Sequence, residues 1–477
     1  TSVSPSFGKG AGVRIFKDKR DGFVSTNDLS RDGLIRSITQ AVQMLDISNS
    51  DTVRKFQGLE DLRNYSKSKN NWLEEIPSVN EIGEKLLLST NSLKKDPKVD
   101  IRKSSYARNW QQVLIASSDG TFAKDIRLHQ TVGLNLIATD RHYRSSGSRR
   151  FGSSDNPNDL RKWDYEKASN DVLESSMNML YADYVEACQK PVVLANKFGG
   201  VIFHEACGHL LETTQIERGT TPFANKMNQK IAHKAVTAID EGVSSHSFGS
   251  LSVDDEGMEP EKSVLIENGI LKKFISDRAG ELRTGHKRTG SGRRQNYAYA
   301  AASRMRNTFI AKGDYSKEDL INSIDDGIYC KSMGGGSVGA TGQFNFAVEE
   351  GYLIKDGKLT KPVNLGDVKQ IDKDAFEKIV SEQTVYNGGN TPPDVNQSSF
   401  ESVVRAVYRG NGTQVSATDS SACLAGLIPF DESIFTNLLQ ENDDGGLVQS
   451  QTSDGVTDKP IMWRGKSYSL RAGTTNS

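Results

Sequence analysis

Two histidines and a glutamate stand close together in FGGVIFHEACGHLLE, residues 198–212, as His204, Glu205 and His209. A neutral imidazole ligates transition metals, and a carboxylate beside it can take a proton from water. The familiar zinc arrangement is H-E-x-x-H, with both histidines on one helix face and the glutamate as general base. Here the second histidine comes one residue later, as H-E-x-x-x-H. On a regular α-helix a separation of five residues turns the side chains roughly 140° apart, too far to share one ion. The spacing therefore predicts a single π turn, whose i to i+5 bonding realigns the pair. Gly208, just before His209, would ease that distortion and leave room for it. Catalytic zinc takes three protein ligands and keeps one position for water. His204 and His209 supply two; the third could be Cys207 or Glu212 from the same segment, or Cys330 or Cys423 from farther along.

The surrounding pattern indicates which elements must position this segment. Near the start, residues 12–16 and 23–26 read as a hairpin turning through Asp21-Gly22. A helix follows, capped by Asn27-Asp28, with an apolar stripe of Leu29, Leu34, Ile35, Ile38, Val42 and Leu45. Residues 46–75 are polar and irregular. An amphipathic helix over 78–93 leads to strand-like runs at 110–116 and 131–138, and residues 141–163 read as an exposed, basic loop. A helix is expected over 164–188, then a strand over 191–195. Asn268-Gly269 and Asp356-Gly357 mark two tight hairpins, 263–271 and 351–359. The sum is an α+β protein: N-terminal mixed α/β layers followed by a strand-rich C-terminal domain carrying the metal-binding helix. The expected division is 1–75, an N-terminal region with its linker, then 76–188, a middle domain, then 189–365, the strand-rich domain, and 366–477, a tail of no assigned fold. Residue 1 is Thr rather than Met, so the opening region is expected to lack its start.

The 477 residues carry 60 Lys and Arg against 61 Asp and Glu, a net charge of -1, which argues against a dedicated nucleic-acid binder. With 35% hydrophobic and 25% charged residues the composition is globular, and no apolar run reaches the roughly 18 residues of a membrane span. Four scattered cysteines, Cys188, Cys207, Cys330 and Cys423, make no disulfide framework, and they read as a reducing, cytoplasmic setting.

Residues 195–212 resemble the metal-binding helix of the TldD/PmbA family of metallopeptidases, in its TldD-like form that keeps H-E-x-x-x-H. Residues 8–28, the block from Gly249 to Arg306 with Asp254-Asp-Glu-Gly257 and Arg288-Thr-Gly-Ser-Gly-Arg-Arg294, and the block from Ser332 to Val363 are similar to TldD-like sequences, most closely cyanobacterial ones. The blocks fall in family order over about residues 7–365; the tail departs. The resemblance implies a Zn2+-dependent peptidase acting on unstructured peptide or unfolded protein, with Glu205 as general base. It also implies a PmbA/TldE-like partner subunit, or a homo-oligomer. In the family a distal cysteine joins the histidines on the metal, preceded by glycines. Cys423, the tail's cysteine, takes that place here, farther along and without those glycines. The competing reading is a non-catalytic scaffold or binding subunit whose metal site is degenerate.

Other features take plainer readings. Met333-Gly-Gly-Gly-Ser-Val-Gly339 lacks the Lys-Ser/Thr ending of a P-loop and reads as a flexible loop bordering the cleft. Asp254, Asp255 and Glu256 read as a solvated acidic turn. Arg288, Arg293 and Arg294 could grip a substrate carboxylate or backbone, or line a domain contact.

Overall fold

Two antiparallel strands, Ala11–Lys17 and Arg20–Thr26, open the computed structural model, which describes residues 5–46, 63–65, 69, 72–92, 96–154, 156–185, 188–243, 247–338, 344–365, 367–370, 404–407, 461–463 and 466–468. The hairpin turns at Asp18-Lys19, with Asp18 at φ 55°, and not through Asp21-Gly22. Gly22 is needed within the second strand, because a Cβ there would lie 2.7 Å from the Ala41 carbonyl oxygen. That carbonyl belongs to the helix Arg31–Gln43, whose N-cap is Ser30: its hydroxyl accepts from the Gly33 N–H. The helix buries Gly33, Ser37 and Ala41, while Leu29, Ile35 and Ile38 of the expected apolar stripe are exposed. Small residues win the buried face because the backbones approach so closely.

The second layer is built on two long antiparallel strands, Val99–Ala116 and Phe122–Asp140, of which the apolar runs 110–116 and 131–138 are only parts. Tyr143–Ser154 adds a third strand along Phe122–Asp140, so this part of the expected basic loop is sheet. Its Ser/Gly composition has a packing cause. The helix Tyr165–Leu180 lies across it, and a Cβ on Gly147 would sit 2.4 Å from the Ser176 hydroxyl. That helix ends at Leu180, short of the expected 188; Cys188–Gln189 is a strand. Val132, Leu134, Leu136, Leu160 and Val172 form the core between sheet and helices, with Ile82 contributed by the helix Val79–Ser92.

The third layer is built on two larger sheets. One contains Lys262–Glu267 and Ile270–Leu271 with Ala238–Glu241 and Asn307–Ile310, all antiparallel. In the other, Asp326–Val338 pairs antiparallel with Phe344–Lys355 and parallel with Val192–Leu194, and Lys358–Asn364 closes the second tight hairpin. Both expected hairpins form, with Asn268, Gly269, Asp356 and Gly357 all at positive φ as such turns require. Met333, Gly334, Gly335 and Gly336 are bulged strand rather than loop, while Gly339 lies outside the described residues. The architecture is α+β, and the segment bearing His204 shares one hydrophobic core with both sheets of this layer. No described helix is long and apolar enough to cross a membrane.

The acidic turn is buried, contrary to the solvated reading: Asp254 is fully enclosed and Asp255 is 7% exposed. Asp254 accepts from the N–H groups of Glu256, Met258 and Gly292. Asp255 pairs with Arg127 of the long hairpin at 2.6 Å. Glu256 accepts from the Arg278 N–H and stands 3.6 Å from Arg14 of the opening hairpin. The turn joins three parts of the chain, and its charges are tolerated because cations and N–H donors surround it.

Candidate metal centre

The chain enters the site through the short helix Phe198–Phe203, runs through a π turn His204–Gly208, and leaves by a 3-10 turn His209–Leu211. The His209 N–H bonds to the His204 carbonyl, the i to i+5 closure that the spacing demands. Amphipathicity orients the segment: Phe198, Ile202, Phe203, Ala206, Cys207, Leu210 and Leu211 are in the core, whereas His204, Glu205 and His209 stay half-buried on the open side. Gly208 has ordinary helical angles, φ -55° and ψ -48°, so its left-handed freedom is unused. What the position needs is space, since a Cβ there would lie 2.2 Å from the Met305 sulfur.

Among the described residues, His204, Glu205 and His209 form a cluster of potential ligands whose donor atoms lie within 4.8 Å of one another. The rings of the two histidines meet edge to face, with centroids 4.9 Å apart. His209 Nε2 is 3.6 Å from a Glu205 oxygen, and its Nδ1 is 3.2 Å from Glu212 Oε1. Glu212 is fully buried; its other oxygen accepts from Arg304 at 2.9 Å, and Oε1 also accepts from the Met305 N–H. Glu212 therefore fixes the His209 ring and directs Nε2 toward Glu205, the usual office of a carboxylate behind a metal-binding imidazole. Sequence reading offered Glu212 as a ligand and missed Arg304. For Glu212, a charged residue directly after Leu210-Leu211 was the available signal. Burial, followed by the charges of His209 and Arg293, holds the His204 imidazole down at about 4, so the ring is neutral and free to ligate at neutral pH.

The donor set suits a transition metal such as zinc: two imidazole nitrogens and a carboxylate converge within reach of one ion. Cys207 and Cys330 do not join them. Cys207 and Cys330 are both in the hydrophobic core; burial pushes the Cys330 thiol up to about 12 and the Cys207 thiol higher still, so neither offers a thiolate. Cys423 lies outside the described residues.

An α+β scaffold that carries paired histidines and a carboxylate on a π turn defines a class of chain with a candidate metal centre. Models of the PmbA/TldA metallopeptidase match its domain 1 at residues 1–45, its central domain at 73–180 and its C-terminal domain at 187–400, the last running past the motif blocks that end near 365. A metalloprotease TldD homolog from Buchnera aphidicola is 33% identical over 364 residues, 74% of each chain. A zinc metalloprotease TldD homolog from Saccharolobus solfataricus is 35% identical over 192 residues, 40% of this chain and 43% of that one. The solved structure of TldE from Thermococcus kodakarensis shares the fold, with a TM-score of 0.61 at 20% identity over 77% of this chain and 82% of that one. The chain belongs to the TldD/PmbA family of metallopeptidases.

Proposed function

We propose that this chain is a zinc-dependent peptidase that hydrolyses peptide bonds of unstructured peptides, with His204 and His209 as ligands and Glu205 as general base. The carrying observation is the convergence of the donor atoms of His204, Glu205 and His209 within 4.8 Å. A zinc ion held there would supply Lewis acidity, polarising the scissile carbonyl and acidifying water. Glu205, partly exposed at the mouth of the centre, takes the proton of the attacking water and returns it to the leaving amine nitrogen. Glu212 keeps the His209 ring in place throughout, itself anchored by Arg304. The third ligand is assigned to Cys423, on the family resemblance. Zinc is supported by the name of the Saccharolobus relative, a zinc metalloprotease TldD homolog, and a TldE-like partner by the shared fold of the Thermococcus protein.

The test is metal content by elemental analysis of the purified chain beside His209→Ala and Cys423→Ser. About one zinc per chain, lost in the first variant and diminished in the second, supports the reading. A chain that takes up no metal when zinc is supplied is a binding subunit instead.

A further inference from the structure

The stretch Arg288–Arg294 carries arginines whose surroundings differ sharply. Arg288 faces the buried acidic turn, with Nη2 3.5 Å from Glu256. Arg294 is committed to the same turn: its N–H donates to Asp255 at 2.8 Å and its guanidinium to the Asp255 carbonyl at 3.2 Å. Gly292 likewise donates to Asp254. Gly292–Arg293 is a strand, paired antiparallel with Ala302–Ser303, and the alternation of a strand turns Arg293 the other way. Gly292 is buried and Arg293 exposed.

The side to which Arg293 turns is the side of the metal centre. Its Nη1 donates to the Met305 carbonyl at 3.4 Å, a long bond that leaves most of the guanidinium donors unused. Met305 is the residue whose sulfur fills the space over Gly208 and whose N–H binds Glu212. Ser303, on the same short sheet, accepts from the Thr214 N–H just beyond Glu212. Among the described residues Arg293 makes no ion pair. A planar cation with free donors, fixed by a strand beside a hydrolytic centre, matches a carboxylate better than any neutral peptide group.

We infer that Arg293 is a specificity-determining residue that binds a carboxylate of the peptide substrate next to the bond held at the His204–His209 centre. This rests on the peptidase reading above. The carboxylate belongs either to a free C-terminus or to an acidic side chain.

The experiment uses the zinc-supplied full chain carrying Glu205→Gln, so that bound peptide is not consumed, and reads equilibrium binding by fluorescence anisotropy. The probes are labelled unstructured peptides in matched pairs: free C-terminus against C-terminal amide, and internal Glu against Gln. A preference of about ten- to a hundred-fold is expected for the carboxylate member of one pair, which identifies the source. Arg293→Gln should abolish the preference without altering affinity for the neutral member or the metal content. Arg293→Lys should restore part of it, and Lys287→Gln, an exposed charge just before the stretch, should leave it intact. Equal affinity within both pairs, a preference that survives Arg293→Gln, or no binding of any probe would overturn the assignment. Loss of metal from Arg293→Gln would also overturn it, placing the arginine behind His204 instead. Turnover by the chain with Glu205 intact separates the two readings. Hydrolysis without a carboxylate preference removes only Arg293, whereas a preference without hydrolysis removes only the peptidase.

Discussion

At the residue scale the centre divides its tasks by burial. His204 and His209 present ring nitrogens, Glu205 presents a partly exposed carboxylate, and the fully buried Glu212 spends both oxygens inside the protein. A carboxylate able to exchange protons with a bound peptide must reach the solvent side, and one that orients a ligand must not move. Glu205→Gln is therefore expected to keep its metal while peptide hydrolysis falls by about 10²–10⁴-fold, measured as kcat beside elemental analysis. Undiminished turnover would remove Glu205 from the chemistry. Glu212→Gln weakens the hold on His209 Nδ1, and zinc affinity should drop by about 10–100-fold in a chelator competition. An unchanged affinity would make Glu212 a partner of Arg304 alone.

At the element scale the decisive feature is the π turn. Five residues from one histidine to the next fit a single ion only where the backbone closes i to i+5, and His204–Gly208 does so. Packing keeps the turn in place: Met305 presses on Gly208 while its own N–H is tied to Glu212. Gly208→Ala should force Met305 aside, lower stability by about 1–3 kcal/mol in urea unfolding, and reduce metal uptake. A companion substitution, Met305→Ala, should relieve the clash and recover part of the metal binding; failure to recover it would mean that Gly208 acts through backbone angles after all. The same logic of close approach explains Gly22 and Gly147, where glycine marks contact between a strand and a helix rather than a turn.

At the scale of the whole molecule the buried acidic turn links the opening hairpin, the long central hairpin and the layer that carries the metal centre. Burial, reinforced by the charges of Asp277 and Asp254, lifts the Glu256 carboxyl from 4.5 to about 7 against the pull of Arg288. A raised folded pKa means that this group's stabilising contribution is complete below about 4.5 and is lost as pH rises through about 7. Glu256→Gln, which cannot ionise, should gain in melting temperature relative to the parent between pH 5 and pH 8; a difference constant across that range would mean that Glu256 stays in one protonation state. The sequence alone determined the π turn, since H-E-x-x-x-H brings its two histidines together only where the backbone closes i to i+5, and the tight hairpins, since Asn-Gly and Asp-Gly carry their own backbone preference. It also determined the α+β class. The strand Tyr143–Ser154 was hidden because small residues chosen for helix contact look like loop, and the acidic turn looked solvated because its cations, Arg127 and Arg14, lie far away in the chain. Only the tertiary structure decided that Glu212 stands behind His209, and that of Arg288, Arg293 and Arg294 one turns from the acidic turn to the Met305 carbonyl. Those roles depend on which charges meet across long sequence separations, and local pattern carries no record of that.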